Sequence, residues 1–263
     1  MRVSGSTVLV TGATGGIGHS IARVLAGRGA KLVLTGRKVA ELERLADEVG
    51  GRALAVDLAE AGAVERLVEE AGAVDVLVAN AALPASGALA DFTAEQVKRA
   101  LAVNLEAPIA LTHGLLPSMV AAGRGHVVLV GSLSGKVASA HASLYNATKF
   151  GLRGFALGVR EELHGSGVGV SIVQPGFVRD AGMFADTGAK PPAGMRTVSP
   201  EQVAAGVVRA VERNLAEVNV APAELRAMSL LGGAFPAFSS ALQRRMSNDE
   251  LMKRMSVANR GKR

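Results

Sequence analysis

Short apolar runs alternate with longer amphipathic segments over most of this 263-residue chain. The apolar runs predict strands at residues 7–10, 31–35, 54–56, 74–79, 126–131, 169–174 and 217–221. The spacing of apolar residues between them favours helices over residues 19–28, 39–49, 63–70 and 93–119, from about 142, and from 200. Because strands that alternate with helices form βαβ units, we predict one α/β domain over residues 1–222. Its doubly wound parallel sheet should have about seven strands, with helices on both faces.

The alternation of strands and helices ends after Ala221. Residues 228–242 are mostly apolar but are interrupted by glycine and proline, and the chain then becomes basic. We expect residues 223–263 to extend the domain rather than to form a separate domain. This extension could pack on the domain, cover a substrate, dock against another subunit or lie on an anionic membrane surface. All four alternatives stay open at this point.

The composition limits the available chemistry. Apolar residues make up 49% of the chain and aromatic residues only 3%, so we expect a core of alanine, valine and leucine. The chain has no cysteine, which excludes disulfides and thiolate chemistry and removes the softest zinc ligands, so no metal site is expected. No apolar stretch reaches the roughly eighteen residues of a transmembrane span, and the first residues lack a signal-peptide pattern. We therefore expect a cytoplasmic protein.

The net charge of +6 is concentrated at the end of the chain. Residues 223–263 contain eight lysines and arginines and three acidic residues, a net charge of +5, which leaves +1 for the rest. Phe235 and Phe238 precede the basic cluster, and no aromatic residue lies within it, so we expect no nucleic-acid partner. Peripheral membrane contact through the basic tail stays open.

A glycine-rich turn joins the first predicted strand to the first predicted helix. The turn reads Thr-Gly-Ala-Thr-Gly-Gly-Ile-Gly over residues 11–18. Gly12 allows a tight turn, while Gly16 and Gly18 allow the backbone to approach a pyrophosphate at the helix N-terminus. Strand, glycine turn and helix in this order predict a dinucleotide-binding unit of Rossmann type.

The end of the second predicted strand indicates which dinucleotide binds. Gly36 stands where an NAD site usually has an acid for the ribose 2′-hydroxyl, and Arg37 and Lys38 follow it. Cations in this place suit a 2′-phosphate, so we predict NADP(H). The alternative is that both cations are solvated charges at the start of a helix.

A tyrosine and a lysine with helical spacing follow the fifth predicted strand. Tyr145, the only tyrosine, and Lys149 lie four residues apart, which puts phenol and ammonium on one helix face. A lysine cation favours the phenolate, so we predict that the pKa of Tyr145 lies below its ordinary value. Ser132 should stand at the ligand-binding edge of the sheet, because it directly follows that strand. The alternative is an ordinary solvated helix face.

These ordered motifs resemble the short-chain dehydrogenase/reductase family over roughly residues 5–221. The turn at 11–18 is similar to the family's cofactor turn, Asp57 to its adenine-contacting acid, and residues 80–82 to the element after its fourth strand. The resemblance implies that NADP(H) is bound by Gly12, Thr14, Gly16, Ile17, Gly18, Arg37, Asp57, Leu58, Asn80, Ala81, Tyr145, Lys149, Pro175, Gly176 and Val178.

The resemblance also implies a reaction, in which a hydride passes between NADP(H) and a carbonyl or secondary alcohol. Asn104, Ser132, Tyr145 and Lys149 fall where the family keeps its catalytic tetrad. Tyr145 would be the general acid and base, Ser132 would hold the substrate oxygen, and Lys149 would lower the tyrosine pKa and bind the nicotinamide ribose. Asn104 would position a water that relays protons, or would be a structural residue inside a helix.

A different class of function is a non-catalytic NADP-binding sensor or scaffold on the same fold. The complete set of Ser132, Tyr145 and Lys149 favours the enzyme. The resemblance further implies association into a homodimer or homotetramer.

The substrate is expected to be a partly apolar small molecule. Residues 180–194 match the family's variable substrate loop, and we expect His141, Leu144, Met183 and Phe184 to line the pocket. Two positions depart from the family pattern. Ala82 stands where glycine is usual, and Asp180 stands where a threonine often contacts the nicotinamide carboxamide.

Overall fold

The computed structural model describes residues 1–186, 188 and 196–245, and these contain one parallel sheet of seven strands. The strands are β1 (Thr7–Thr11), β2 (Lys31–Gly36), β3 (Arg52–Ala55), β4 (Val76–Ala79), β5 (Gly125–Val130), β6 (Val168–Pro175) and β7 (Glu217–Val220). Their order in the sheet is β3-β2-β1-β4-β5-β6-β7. The predicted parallel, doubly wound sheet is therefore confirmed.

Helices connect the strands and cover the sheet. They are α1 (Gly16–Gly27), α2 (Val39–Val49), α3 (Ala63–Ala71), α4 (Ala94–Leu101), α5 (Ala107–Ala121), α6 (Ser143–Glu162), α7 (Gly182–Ala185) and α8 (Pro200–Arg213). After β7 come α9 (Ala223–Ala234) and α10 (Pro236–Arg245). None of the described helices is long and apolar enough to cross a bilayer.

Alternating side chains along each strand build two separate cores. In β1, Val8 and Val10 pack on one face of the sheet while Leu9 packs on the other. The first face is covered by α1, α2 and α8, and the second by α3, α5 and α6. Both faces of the central strands are buried, which explains why those strands read as continuous apolar runs rather than as alternating patterns.

The long helical stretch predicted over residues 93–119 is divided into three segments. The capping box of Thr93 and Gln96 starts α4, as the threonine predicted. A π-helical turn, Ala102–Glu106, then separates α4 from α5. Pro108 lies at the start of α5 and has no N–H to donate to the carbonyl four residues earlier, so the regular α-helical ladder is interrupted at this junction.

The carboxyl ends of β1, β4 and β5 meet at one edge of the sheet. The chain order reverses between β1 and β4, and this reversal opens a crevice where α/β sheets bind ligands. The glycine turn follows β1, Asn80 follows β4, and Ser132 lies two residues after the end of β5. The fold therefore brings three of the predicted motifs to the same edge.

The extension after β7 packs against the segment that follows Ser132. A Cβ atom added to Gly232 of α9 would lie 2.8 Å from Cγ2 of Val137, and one added to Gly233 would lie 3.2 Å from the carbonyl oxygen of Lys136. This close approach requires glycine, at least at Gly232. The extension is thus a wall of the same crevice.

Candidate active site

One cavity of about 1320 Å³ runs along this edge, from the glycine turn to α9 and α10. Its lining includes the predicted cofactor residues of the turn, Gly12, Thr14, Gly16, Ile17 and Gly18. Within the described ranges, no group of three or more histidine, aspartate or glutamate side chains could hold a metal ion.

Gly12 and Gly18 of the glycine turn leave no room for a side chain. Gly12 has a φ of +65°, and a Cβ atom there would lie 2.7 Å from Cα of Ala81. A Cβ atom on Gly18 would lie 2.1 Å from the carbonyl oxygen of Gly12. Because no side chain caps the N-terminus of α1, its first N–H groups are available to an anion. These features fit a pyrophosphate lying against the backbone.

Asn80 ties the glycine turn to β4. Its Nδ2 atom donates to the carbonyl oxygens of Thr11 (3.1 Å) and Gly12 (3.2 Å). In return, the Thr11 hydroxyl accepts hydrogen bonds from the backbone N–H groups of Asn80 and Ala81, each at 3.0 Å. Asn80 and Ala81 therefore fix the shape of the turn, and both also line the cavity.

Asp57 lies between two arginines at the cavity wall. Arg99 of α4 donates to it at 2.6 Å, and Arg37 approaches to 4.0 Å. Burial alone would raise the pKa of Asp57, but the hydrogen bonds from Arg99 and from the backbone of Ala59 hold it below its ordinary value. Arg99 also lines the cavity, and sequence reasoning missed it because it stands 42 residues from its partner.

The space at the end of β2 disfavours a side chain at Gly36. A Cβ atom there would lie 2.9 Å from the hydroxyl oxygen of Thr14, so Thr14 would have to shift to admit an acid. Lys38 is engaged by Glu41 at 2.9 Å. Arg37, with 54% of its side chain exposed, is thus the cation of this pair that is better placed for an anionic ligand in the cavity.

Ser132, Tyr145 and Lys149 come together at the middle of the cavity. The Ser132 hydroxyl is hydrogen-bonded to the Tyr145 phenol and accepts from the backbone N–H of Ser134 at 3.1 Å. Lys149 Nζ lies 5.6 Å from the centroid of the Tyr145 ring and donates to the carbonyl oxygen of Val130 at 3.0 Å. The end of β5 and one face of α6 therefore position these three side chains.

The predicted lowering of the Tyr145 pKa is wrong. Burial raises the pKa of Tyr145 above its ordinary value, and the hydrogen bond with Ser132 offsets this only in part. Burial also lowers the pKa of Lys149 to about 8. The Lys149 ammonium is directed to the Val130 carbonyl rather than to the phenol, so its attraction does not outweigh the desolvation. The Tyr145 side chain keeps partial exposure, and it lines the cavity.

Asn104 is buried in the π-helical turn, away from the cavity lining. Its Oδ1 atom accepts from the N–H of Leu83 at 2.6 Å, and its Nδ2 atom donates to the Leu83 carbonyl at 2.9 Å. Both ends of the side-chain amide are therefore used to hold the segment after β4. This geometry matches the structural alternative for Asn104 more closely than direct contact with a relay water.

The remaining predicted residues divide into two groups. Leu58, Pro175, Gly176, Val178, Met183 and Phe184 line the cavity. His141 and Leu144 lie outside the lining. Leu144 packs with Ala85 and Ala100 in a small cluster, and the backbone carbonyl of His141 accepts from Gly87 N–H at 2.6 Å. Leu144 is one residue from Tyr145, and adjacent helix positions face different directions.

The variable loop differs from the expectation at Asp180. Its side chain is 72% exposed and pairs with Arg179 at 3.3 Å, and Asp180 is not part of the cavity lining. Ala181 and Gly182 line the cavity instead. A Cβ atom added to Gly16 would lie 2.4 Å from Cβ of Ala181, so Ala181 packs directly against the glycine turn. Within the predicted loop 180–194, residues 187 and 189–194 lie outside the described residues.

Part of the cavity wall comes from residues that sequence reasoning did not assign. Leu133 and Val137 follow Ser132, and Leu225, Met228 and Leu231 come from α9. Their apolar character could be read from the sequence, but their place beside Tyr145 depends on how α9 folds back. On the side away from the glycine turn the cavity therefore has an apolar wall, next to which Ser229, Ser239, Ser240 and Arg244 also line the cavity.

A charged cluster supports the segment that follows Ser132. Glu217, at the start of β7, accepts from Lys136 at 2.9 Å, from Gln174 at 3.0 Å and from Arg153, two helical turns beyond Tyr145. The Lys136 side chain is only 6% exposed. Burial would raise the pKa of Glu217, but Arg153 and Lys136 hold it below its ordinary value.

This cluster predicts an acid-dependent loss of stability. Because the folded-state pKa of Glu217 is depressed, its contribution is present above the ordinary pKa and is lost as pH falls through the folded value. We expect Glu217→Gln to lower the free energy of unfolding at pH 7 by about 1–3 kcal/mol, and less at pH 3. Urea unfolding of both proteins at the two pH values measures this. An equal difference at both pH values would contradict it.

Sequence comparison relates the chain to one enzyme family. The profile described as short chain dehydrogenase matches residues 6–192. The chain is 37% identical over 227 residues to the ketoacyl reductase HetN of a Nostoc species, covering 83% of this chain and 79% of that protein. It is 35% identical over 186 residues to the mouse dehydrogenase/reductase SDR family member 7B. That match covers 66% of this chain and 58% of the mouse protein, less than two thirds of its length.

Structural comparison agrees with the sequence comparison. A short-chain dehydrogenase from Sphingobium yanoikuyae, solved in complex with NADPH, superposes with a TM-score of 0.76 at 28% sequence identity. The match covers 92% of this chain and 96% of the Sphingobium chain.

Proposed function

The chain belongs to the short-chain dehydrogenase family, and we propose that it transfers a hydride between NADP(H) and a carbonyl or secondary alcohol group. The observation that carries this proposal is the meeting of Ser132, Tyr145 and Lys149 in the same cavity as the glycine turn. A protein that only bound the cofactor would have no use for all three side chains. Their arrangement therefore favours an enzyme over a sensor or scaffold.

The cavity fits a nicotinamide dinucleotide. The backbone of Gly12, Gly16 and Gly18 would face the pyrophosphate, and Asp57 and Leu58 would lie at the adenine. Pro175, Gly176 and Val178 would lie beside the nicotinamide, together with Lys149 at its ribose. The nicotinamide supplies the hydride chemistry when it is bound.

The protein's own side chains would handle the proton. In reduction, the Tyr145 hydroxyl donates its proton to the carbonyl oxygen while Ser132 donates a hydrogen bond to the same oxygen. In oxidation, Tyr145 takes the proton from the alcohol. We assign Lys149 the task of stabilising the phenolate that remains after donation, and Asn104 the task of holding the backbone of Leu83 in place.

The apolar part of the cavity favours a substrate with a hydrocarbon portion. Met183 and Phe184 on one side and Met228 and Leu231 on the other would surround it. The name of the Nostoc relative, ketoacyl reductase, points in the same direction, so ketoacyl compounds are our first candidates.

A substrate screen tests the proposed function. Ketoacyl thioesters and apolar ketones are offered with NADPH, and the matching alcohols with NADP⁺, while cofactor absorbance is followed. We expect turnover with at least one ketoacyl or apolar ketone substrate. Binding of NADPH without turnover of any carbonyl class would favour the sensor or scaffold instead.

Arg37 should set the preference for NADP(H). A charge-assisted contact to the 2′-phosphate is worth about 1.5–3 kcal/mol, so the wild type should bind NADPH about ten- to a hundredfold more tightly than NADH. Arg37→Ala should remove most of this preference and leave NADH affinity nearly unchanged. Lys38→Ala is the matched control, because Glu41 already engages Lys38, and it should alter the preference little. Equal wild-type affinity for the two cofactors would contradict the assignment.

A further inference from the structure

The outer face of α9 is apolar although nothing in the described structure covers it. Leu225, Ser229 and Gly232 form its buried face. Large apolar side chains on the remaining circumference are exposed, namely Met228 at 41%, Leu230 at 64%, Leu231 at 57% and, at the C-cap, Phe235 at 60%. A surface helix ordinarily carries polar residues on its outward face, so this exposure calls for a partner.

The surroundings of this apolar face carry positive charge. Arg226 lies on α9 itself and is exposed, while the exposed Arg244 of α10 also lines the cavity. The acid on α9, Glu224, is already paired with Arg196 at 3.0 Å. Residues 223–245 contain three arginines and this one acid, a net charge of +2. An apolar helix face combined with basic residues suits the boundary between anionic headgroups and acyl chains.

We propose that the α9 face, defined by Met228, Leu230, Leu231 and Phe235, docks on an anionic lipid bilayer. A second copy of the chain is a less suitable partner for this face. A twofold interface through this face would bring the exposed Arg226 side chains of two copies toward each other, and like charges oppose such contact. An anionic bilayer instead complements the charge and accepts the apolar side chains.

The position of the α9 face adds a functional consequence. Met228 and Leu231 belong both to the exposed face and to the cavity lining. Docking would therefore bring the apolar side of the cavity to the bilayer, and an apolar substrate dissolved there would reach Tyr145 with little exposure to water. The docking itself does not depend on the proposed reaction, whereas this route for the substrate rests on it.

Vesicle flotation with the full chain tests the proposal. Vesicles of phosphatidylcholine alone are compared with vesicles that also contain phosphatidylglycerol, at low and high salt. We expect the anionic lipid to raise the partition coefficient by about tenfold or more, and high salt to reverse most of that gain. Failure of the wild type to bind the anionic vesicles would overturn the proposal.

Two variants separate docking from nonspecific charge attraction. Leu230→Asp and Phe235→Asp change exposed side chains outside the cavity lining, so turnover of a water-soluble substrate should be unaffected. Each should reduce vesicle binding about tenfold. Val120→Asp is the matched control. Val120 is 44% exposed and lies at the end of α5 that leads into β5, at the opposite edge of the sheet.

The control should bind vesicles as the wild type does. Size-exclusion chromatography of the same proteins tests the alternative that a second copy of the chain binds the α9 face. If Leu230→Asp dissociates an oligomer but binds vesicles as well as the wild type, the face is a subunit interface and the membrane proposal is wrong. Equal loss of vesicle binding in Val120→Asp would overturn it as well.

Discussion

Tyr145→Phe is expected to reduce kcat by roughly a hundred- to ten-thousandfold, the range that loss of a general acid or base gives. The substitution removes one oxygen and keeps the ring, which packs beside the cluster of Ala85, Ala100 and Leu144. The fold and the glycine turn should therefore be unaffected, and NADPH affinity should stay nearly at the wild-type value. Steady-state kinetics on the substrate found in the screen, together with a cofactor titration, measure both quantities.

A second variant distinguishes proton donation from positioning of the substrate oxygen. Ser132→Ala keeps the phenol but removes its hydrogen-bond partner, so kcat should fall while activity remains detectable. If Tyr145→Phe turned over substrate at the wild-type rate, Tyr145 would not be the acid. The central role assigned to the segment from Ser132 to Lys149 would then be wrong.

Lys149→Met should weaken catalysis and stabilise the fold at the same time. The buried ammonium carries a desolvation cost, which is why its pKa falls from 10.5 to about 8. Each pKa unit corresponds to about 1.4 kcal/mol, whereas the hydrogen bond from the charged ammonium to Val130 contributes about 1.5–3 kcal/mol. We therefore expect Lys149→Met to raise the free energy of unfolding at pH 7 by about 0.5–2 kcal/mol, while kcat falls about a hundredfold or more.

The pH dependence of this gain can be derived from the same shift. Between pH 8 and 10.5 the unfolded chain keeps the Lys149 proton while the folded protein releases it, so wild-type stability rises with pH over this interval. Lys149→Met removes that slope, and its advantage should shrink as pH rises. Lys98→Met, on the exposed face of α4, is the control and should change neither stability nor kcat. A clear loss of stability in Lys149→Met at pH 7 would contradict the argument.

Much of the fold follows from local pattern, because central strands in a parallel sheet are buried on both faces. All seven predicted strands are present, and each end lies within two residues of the prediction. The Thr93 and Ser199 caps also start their helices as predicted. The π-helical turn around Asn104 was missed, since the periodicity of a helix does not report one extra residue in a turn.

The site residues that stand at strand ends could be predicted from their order along the chain. The contacts between residues that are distant in sequence could not. The residues of the glycine turn, together with Ser132, Tyr145 and Lys149, line one cavity because each stands at a strand end or on the helix beside it. The bond between Arg99 and Asp57 spans 42 residues, and no local signal marks it. The predicted direction of the Tyr145 pKa shift was wrong for a related reason. Spacing places Lys149 near the phenol, but only the packed structure shows how far burial and the Val130 carbonyl oppose that charge.

The close packing of α9 against the segment after Ser132 divides the molecule into parts that can change separately. The residues assigned to proton transfer and cofactor binding all precede residue 180, whereas one apolar wall of the cavity comes from α9, after the last strand. Gly232 lies where these two parts contact each other, because a Cβ atom added to it would be only 2.8 Å from Cγ2 of Val137. Replacing the extension after β7, with glycine kept at position 232, is therefore a route to a new substrate range while the residues assigned to proton transfer and cofactor binding stay unchanged.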